Sequence, residues 1–191
     1  MGRKAKHDKQ DWIMAAFKAL ETGGIDAVRV ERLAKSLGAT KGSFYWHFTD
    51  RPALLTAVVD FWEAEGTKGI IEHLGGSKQS PADQLRELAI IASEKERFEL
   101  DAIKVEGALR AWAAQEEWVA QRIAKIEASR IAFLDETLTS IGHEQKQAKQ
   151  IAQQLYLMLL GLYSIERHNP SDAHRTAFIE FAEQACTVSS N

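Results

Sequence analysis

A chain of 191 residues is one large domain or a small domain joined to a medium one, and either can bury a real hydrophobic core. With 45% hydrophobic and 27% charged residues it is neither a disordered chain nor a membrane protein. The formal net charge of −3 advertises no nucleic acid, but residues 1–50 hold nine basic and six acidic side chains while the rest hold 15 and 21, so the two parts are expected to meet different partners.

In chain order, Arg3, Lys4, Lys6 and Lys9 are opposed only by Asp8. They read either as a basic arm that tracks phosphates or enters a minor groove, or as a solvated terminus. Trp12, Ala15, Ala16, Ala19 and Leu20 repeat at helical spacing and predict a first helix ending at Gly23-Gly24. A short second helix carries Val30, Leu33, Ala34 and Leu37 on one face and stops at Gly38. A third opens at Thr40, whose hydroxyl can cap it, with Phe44 and Phe48 as its buried stripe. The next begins near Asp50, has Pro52 in its first turn, and buries Leu54, Leu55, Val58, Val59 and Trp62. Later helices are expected at 81–95, 98–114, 117–141, 144–168 and 171–187, with Pro81 and Pro170 at two starts and Gly75-Gly76 and Gly142 at two ends. No β-hairpin signal occurs, and the fold class is all-α.

Residues 28–48, VRVERLAKSLGATKGSFYWHF, carry the most information. Two short helices about a three-residue turn containing glycine have helix-turn-helix geometry. On the second, Thr40, Lys41, Ser43, Tyr45, Trp46 and His47 are hydrogen-bonding or cationic, and Gly42 removes a side chain where bulk would hold the backbone off a surface. A major groove about 12 Å wide admits such a helix.

Farther on, segment 98–114 puts Phe98, Val105, Leu109 and Trp112 on one face, flanked by Glu106 and Arg110 at a favourable spacing. Segment 117–141 has an apolar stripe of Val119, Ile123, Ile126, Phe133, Leu134 and Leu138; Arg130 projects into its middle and Glu127 lies at its edge. A buried cation must be paired, either through a Glu127–Arg130 or inter-helix salt bridge or by the carboxylate or other acceptor of a ligand. Trp112, Trp118, Phe133 and Tyr156 suit either core or the wall of an apolar pocket with a few polar handles. Leu155 to Ile165 is apolar on nearly every side, and Phe178, Phe181, Ala182 and Ala185 offer a matching stripe on the following helix. These two helices are the expected dimer interface.

The stretch Val30–Leu55 resembles the TetR family of transcriptional regulators: Leu33-Ala34, the turn glycine Gly38, the run Thr40 to Phe48, then Asp50-Arg51-Pro52-Ala53-Leu54-Leu55. The resemblance implies a three-helix DNA-binding domain at 1–54 and a larger helical effector-binding and dimerisation domain at 55–191. It further implies a homodimer that binds a palindromic operator as a repressor and is released by a small apolar or amphipathic effector. By position, Lys41, Gly42, Ser43, Tyr45, Trp46 and His47 match recognition-helix residues, and Arg51 matches a basic phosphate-contacting position. Val28-Arg29 stands where the family commonly has Ser or Thr, and Glu31 where it often has a basic residue; Arg29 could replace the capping hydroxyl as a phosphate ligand. The expected ligand-binding set is Glu106, Arg110, Trp112, Trp118, Arg130, Phe133 and Tyr156.

Other chemistries find little support. The six histidines show no metal spacing, and there is no phosphate loop, nucleophile elbow or dinucleotide fingerprint, so neither an enzyme nor a cofactor is expected. The single cysteine, Cys186, reads as an inert, partly buried thiol, and MGRKAKHDKQ has no apolar signal-peptide core. The expected location is cytoplasmic, without a membrane partner. A helical protein-interaction module that uses its aromatics on another protein is the rival reading.

Overall fold

The computed structural model describes residues 7–188, so the proposed arm residues Arg3, Lys4 and Lys6 lie outside the described part. Helix α1 (Lys9–Gly23) starts at a reciprocal cap in which Asp8 and Asp11 each accept from the other's backbone N–H. A single 3₁₀ turn, Ile25–Ala27, leads to α2 (Val30–Ser36). Gly38, at φ 60°, makes the left-handed turn into α3 (Lys41–Phe44). That helix is shorter than expected: residues 45–47 form turns, although Thr40 does accept from the Ser43 amide as its cap.

The next helix is longer than its apolar period suggested. α4 (Arg51–Glu63), capped by Asp50, continues through a π-helical segment, Ala64–Lys68, into α5 (Gly69–Gly75). Then follow α6 (Pro81–Ala92), α7 (Ala102–Ala113), α8 (Glu117–Ile141), α9 (Gln145–Glu166) and α10 (Asp172–Gln184). Gly142, at φ 119°, ends α8 in a left-handed cap, as the sequence indicated.

One departure matters for the site. The expected helix at 98–114 begins only at Ala102, where Asp101 caps it. Before it lies a two-residue antiparallel ladder, β1 (Glu96–Arg97) with β2 (Leu100–Asp101), turned at Phe98 and Glu99, which take φ of 53° and 59°. Such a turn usually signals itself through Asn or Gly, and Phe-Glu carries no such signal. Phe98 therefore does not share the α7 face with Val105 and Leu109; it packs edge-on against Phe61 of α4, with ring centroids 5.6 Å apart.

Two apolar cores result. The first joins α1–α4 to β2, α7 and the first half of α8, through Trp12, Phe17, Phe44, Trp62, Leu109 and Ile123 among others. The second joins α6, the second half of α8, α9 and α10. At 25 residues, and about 37 Å at 1.5 Å per residue, α8 is the spine common to both. The second core takes up one face of each of the two expected interface helices: Leu155, Leu159, Leu162, Phe178, Ala182 and Ala185 are all buried within the chain. What stays outside is a different face of α9, with Leu157 exposed, Leu160 half-buried and Gly161 open. Cys186 is a buried free thiol against the Ala82 and Ala182 carbonyls. No described helix is long and apolar enough to cross a membrane, and no cluster of metal-ligating side chains occurs among the described residues.

Candidate functional site

The short α3 separates two kinds of side chain by angle alone. Phe44 points inward, fully buried, with its ring edge-on to Trp12 at 5.3 Å and stacked on Phe48 at 5.5 Å. That wedge holds the helix rigidly against α1. Lys41, Gly42, Tyr45 and Trp46 face solvent, and Trp46 is 86% exposed, the highest value among the exposed large hydrophobic side chains. An apolar ring that the fold leaves uncovered marks a contact surface. The Thr40 and Ser43 hydroxyls are engaged in capping, Ser43 Oγ donating to the Thr40 carbonyl at 2.7 Å. His47 is half-buried with Nε2 lacking a partner among the described residues. A Cβ on Gly42 would meet nothing closer than Thr40 Oγ1 at 3.8 Å, so the chain's own packing does not demand glycine there.

Charges on this face are arranged in pairs. Lys41 Nζ donates to Glu31 at 2.5 Å, which holds the Glu31 carboxyl below its usual range and the ammonium above its own. The acid that stood where a base was expected thus neutralises a neighbour across the turn. Arg29 precedes α2 without capping it through its side chain; its Nε donates to the Asp26 carbonyl at 2.9 Å and the rest of the guanidinium faces solvent. Arg51 differs from the expectation of a free phosphate ligand. Its Nε and one terminal nitrogen donate to the Val28 and Ile25 carbonyls, at 2.6 and 2.9 Å, clamping the segment before α2 to α4.

The second candidate region is a cavity of about 90 Å³ at the seam of the two cores. Trp62, Gly66 and Thr67 reach it from the α4–α5 helix, Leu85, Leu88 and Ile91 from α6, Phe133 and Leu134 from α8, and Leu155, Tyr156, Leu159 and Tyr163 from α9. Of the expected ligand set, Glu106, Arg130, Phe133 and Tyr156 line it. Arg110, Trp112 and Trp118 do not. Trp112 is buried in the first core, and Trp118, partly turned to solvent, lies edge-on to it at 5.2 Å. Arg110 lies behind the wall and braces it, donating to Glu106, Glu127 and the Tyr156 hydroxyl.

The buried polar groups of the wall form one network. Glu106, only 3% exposed, accepts from Arg110 at 2.8 Å and from Arg130 at 3.3 Å. Arg130 is therefore paired across helices with Glu106, and Glu127 serves Arg110 instead. Burial works against the Arg130 charge, and Glu106 outweighs it, holding the guanidinium above its ordinary pKa. The remaining Arg130 donors reach the π-helical segment: Nε to Thr67 Oγ1 at 3.0 Å and a terminal nitrogen to the Gly66 carbonyl at 3.5 Å. Tyr163 donates to the Ala92 carbonyl at 2.6 Å, and burial pushes its phenol up.

Most of the lining residues were absent from the expected set, Trp62, Thr67, Arg97 and Tyr163 among them. Trp62 and Tyr163 lie on helices whose apolar periodicity marked them as buried, but periodicity does not say against what. Thr67 falls in a stretch to which no element was assigned, and Arg97 comes from the hairpin that nothing in the sequence signalled.

Residues 13–58 match the family model described as bacterial regulatory proteins, tetR family. The chain is 25% identical over 113 residues to the HTH-type transcriptional regulator AcrR of Shigella flexneri, covering 54% of this chain and 53% of that one. Over 53 residues it is 38% identical to the class A tetracycline repressor protein from transposon 1721 of Escherichia coli, covering 28% and 24%. The chain thus spans about half of the first relative and a quarter of the second. Across 95% of its length it superposes on a TetR transcriptional regulator from Legionella pneumophila, with a TM-score of 0.78 at 14% identity and 98% of that chain covered, which is a likeness of fold.

Proposed function

With residues 13–58 belonging to the tetR family of bacterial regulatory proteins, we propose that the chain is a ligand-responsive transcriptional regulator that binds operator DNA. The observation that carries this reading is the outward row of α3 and the turn after it, where Lys41, Tyr45 and Trp46 stand exposed on a segment fixed from behind by Phe44. Residues 1–54 read the DNA and 55–191 bind effector and partner subunit. Two copies pair through the outer face of α9, around Leu157, Leu160 and Gly161, where the glycine allows close approach. They set two α3 helices in successive major grooves, about 34–36 Å apart, on a palindromic site. The local excess of positive charge in residues 1–50 gives operator binding a steep salt dependence.

The link between cavity and DNA is the continuous α4–α5 helix. Its α4 end is anchored in the first core, and its π-helical segment forms cavity wall, gripped by Arg130. π-helical turns recur at functional sites because the widened turn can relax at low cost. A small apolar or amphipathic effector that repositions Arg130 or Trp62 shifts this segment, tilts α4 and changes the separation of the two reading helices. It does so only to the extent that it prefers one state to the other. Repression relieved by the effector is the expected sign.

A binding selection on random duplex DNA with the full chain tests this reading. A two-fold symmetric site emerges, and replacing Lys41 and Tyr45 together by alanine weakens binding to it by about a hundredfold or more while leaving the thermal midpoint unchanged. Failure to enrich any sequence would favour a protein-interaction module instead.

A further inference from the structure

The wall of the cavity carries a cation with no hydrogen-bonded partner among the described residues. Among its four charged lining groups, Glu106 is shared by Arg110 and Arg130, and Glu94, exposed at the rim, attracts Arg97 through space without pairing with it. Glu127 is taken by Arg110. Arg97, the fourth, is half-buried and has no side-chain hydrogen bond or ion pair with any described residue, although a guanidinium offers five donors. Burial lowers its pKa and the neighbouring Arg130 charge adds to this, with Tyr163 and Glu94 opposing. Glu106 and Glu127 are thus taken up by Arg110 and Arg130, and the Arg97 guanidinium keeps its donors free, on a cavity wall that is otherwise mainly Trp62, Phe133 and the aliphatic side chains of α6 and α9.

We propose that this cavity binds an amphipathic monoanion, an apolar body bearing one carboxylate, with the carboxylate on Arg97 beside Arg130. The proposal rests on the effector reading above and names its chemical class. A neutral apolar molecule would leave Arg97 unpaired in a drier site, and a cation would face two guanidinium groups. A phosphate dianion would need a second free cation, which the engagement of Arg130 with Glu106, Thr67 and Gly66 denies it. A planar carboxylate matches one guanidinium edge through two parallel hydrogen bonds. Arg97 also sits on a two-residue ladder whose turn packs on Phe61 of α4, so a ligand held there touches the linking helix from a second side.

Calorimetric titration of the full chain, without DNA, with octanoate, octanol and octylamine decides the matter. Octanoate is expected to bind at least about tenfold more tightly than octanol, with octylamine weakest. Arg97→Met should reduce octanoate to the level of octanol, leave octanol unchanged, and leave the unliganded thermal midpoint unchanged or higher, because no native contact is lost. Equal binding of octanol and octanoate, retention of the carboxylate preference by Arg97→Met, or no binding of any of the three would overturn the proposal. Retention of the selected DNA by the ligand-free chain reports separately on the regulator reading. Octanoate that binds through Arg97 without weakening that DNA complex would confirm the anion site and end its role as effector site.

Discussion

The reading surface and the cavity solve opposite physical problems with the same building material. On α3 the functional side chains are short of neighbours: Tyr45 and Trp46 are left in water, and the fold supplies only a rigid back through Phe44. In the cavity the functional side chains are crowded, and Glu106 on α7 is held by Arg110, one turn further along the same helix, and by Arg130 on α8. A surface site tolerates loss of its own residues and depends on what lies beneath. A buried site depends on its members directly, because removing one leaves another charge unpaired.

The sharpest way to break this contrast is within α3 itself. Phe44→Ala, adjacent to Tyr45, removes a fully buried ring that touches Trp12 and Phe48, and large-to-small changes of this kind cost about 3–5 kcal/mol. Thermal unfolding should fall by roughly 10 °C, against no shift for the exposed neighbour, and DNA binding should fail with it. Equal shifts at 44 and 45 would mean that α3 is not fixed by this wedge.

In the cavity, Glu106→Gln leaves Arg130 without its anionic partner and should cost about 3 kcal/mol, read from urea denaturation. Replacing Arg130 by glutamine in the same chain should recover part of that loss, since two neutral groups need no mutual compensation. Strictly additive losses would mean that the two side chains act independently and that the network has no shared balance.

The two regions were also unequally legible in the sequence. The reading surface is built from about thirty consecutive residues, so spacing alone placed Thr40 at a cap, Gly38 in the turn and Phe44 inside. What it did not show is that Arg51 is held by a partner 23 residues away in the chain: the Val28 carbonyl, which no local pattern reveals. The cavity draws on six helices, with α4–α5 as one, and a hairpin, and periodicity reports which face is buried without saying which other face meets it. Trp112 and Arg130 gave the same signal, a large side chain on an apolar stripe. Only the crossing of α7, α8 and α9 turns one into core and the other into cavity wall. The α10 stripe erred for the same reason: Phe178 and Ala182 were correctly assigned as buried, but against α6 and α9 of their own chain rather than against a partner.

Between the two regions lies a clamp whose contribution is small but whose sign is definite. Glu63, at the end of α4, accepts from Lys68 at 2.7 Å and from Arg122 of α8, which also donates to Asp60. The Lys68 and then the Arg122 hydrogen bonds hold the Glu63 carboxyl below the usual carboxylate range. A depressed folded-state pKa contributes stability that is present above the unfolded value and is lost as pH falls through the lower, folded one. The first partner of Glu63, Lys68, is largely exposed, so the effect is modest. Glu63→Gln should lower the urea midpoint slightly near neutral pH, and the difference from the parent chain should shrink as pH falls below the usual carboxylate range and vanish once it is below the depressed folded value. The same acidification frees Arg122 from α4, so Trp62 emission should shift with pH in the parent chain and not in the variant. A difference in stability that persisted at acid pH would assign the clamp to packing of the side-chain stems rather than to charge, and α4 would then be held against α8 in a way that no ligand in the cavity could release electrostatically.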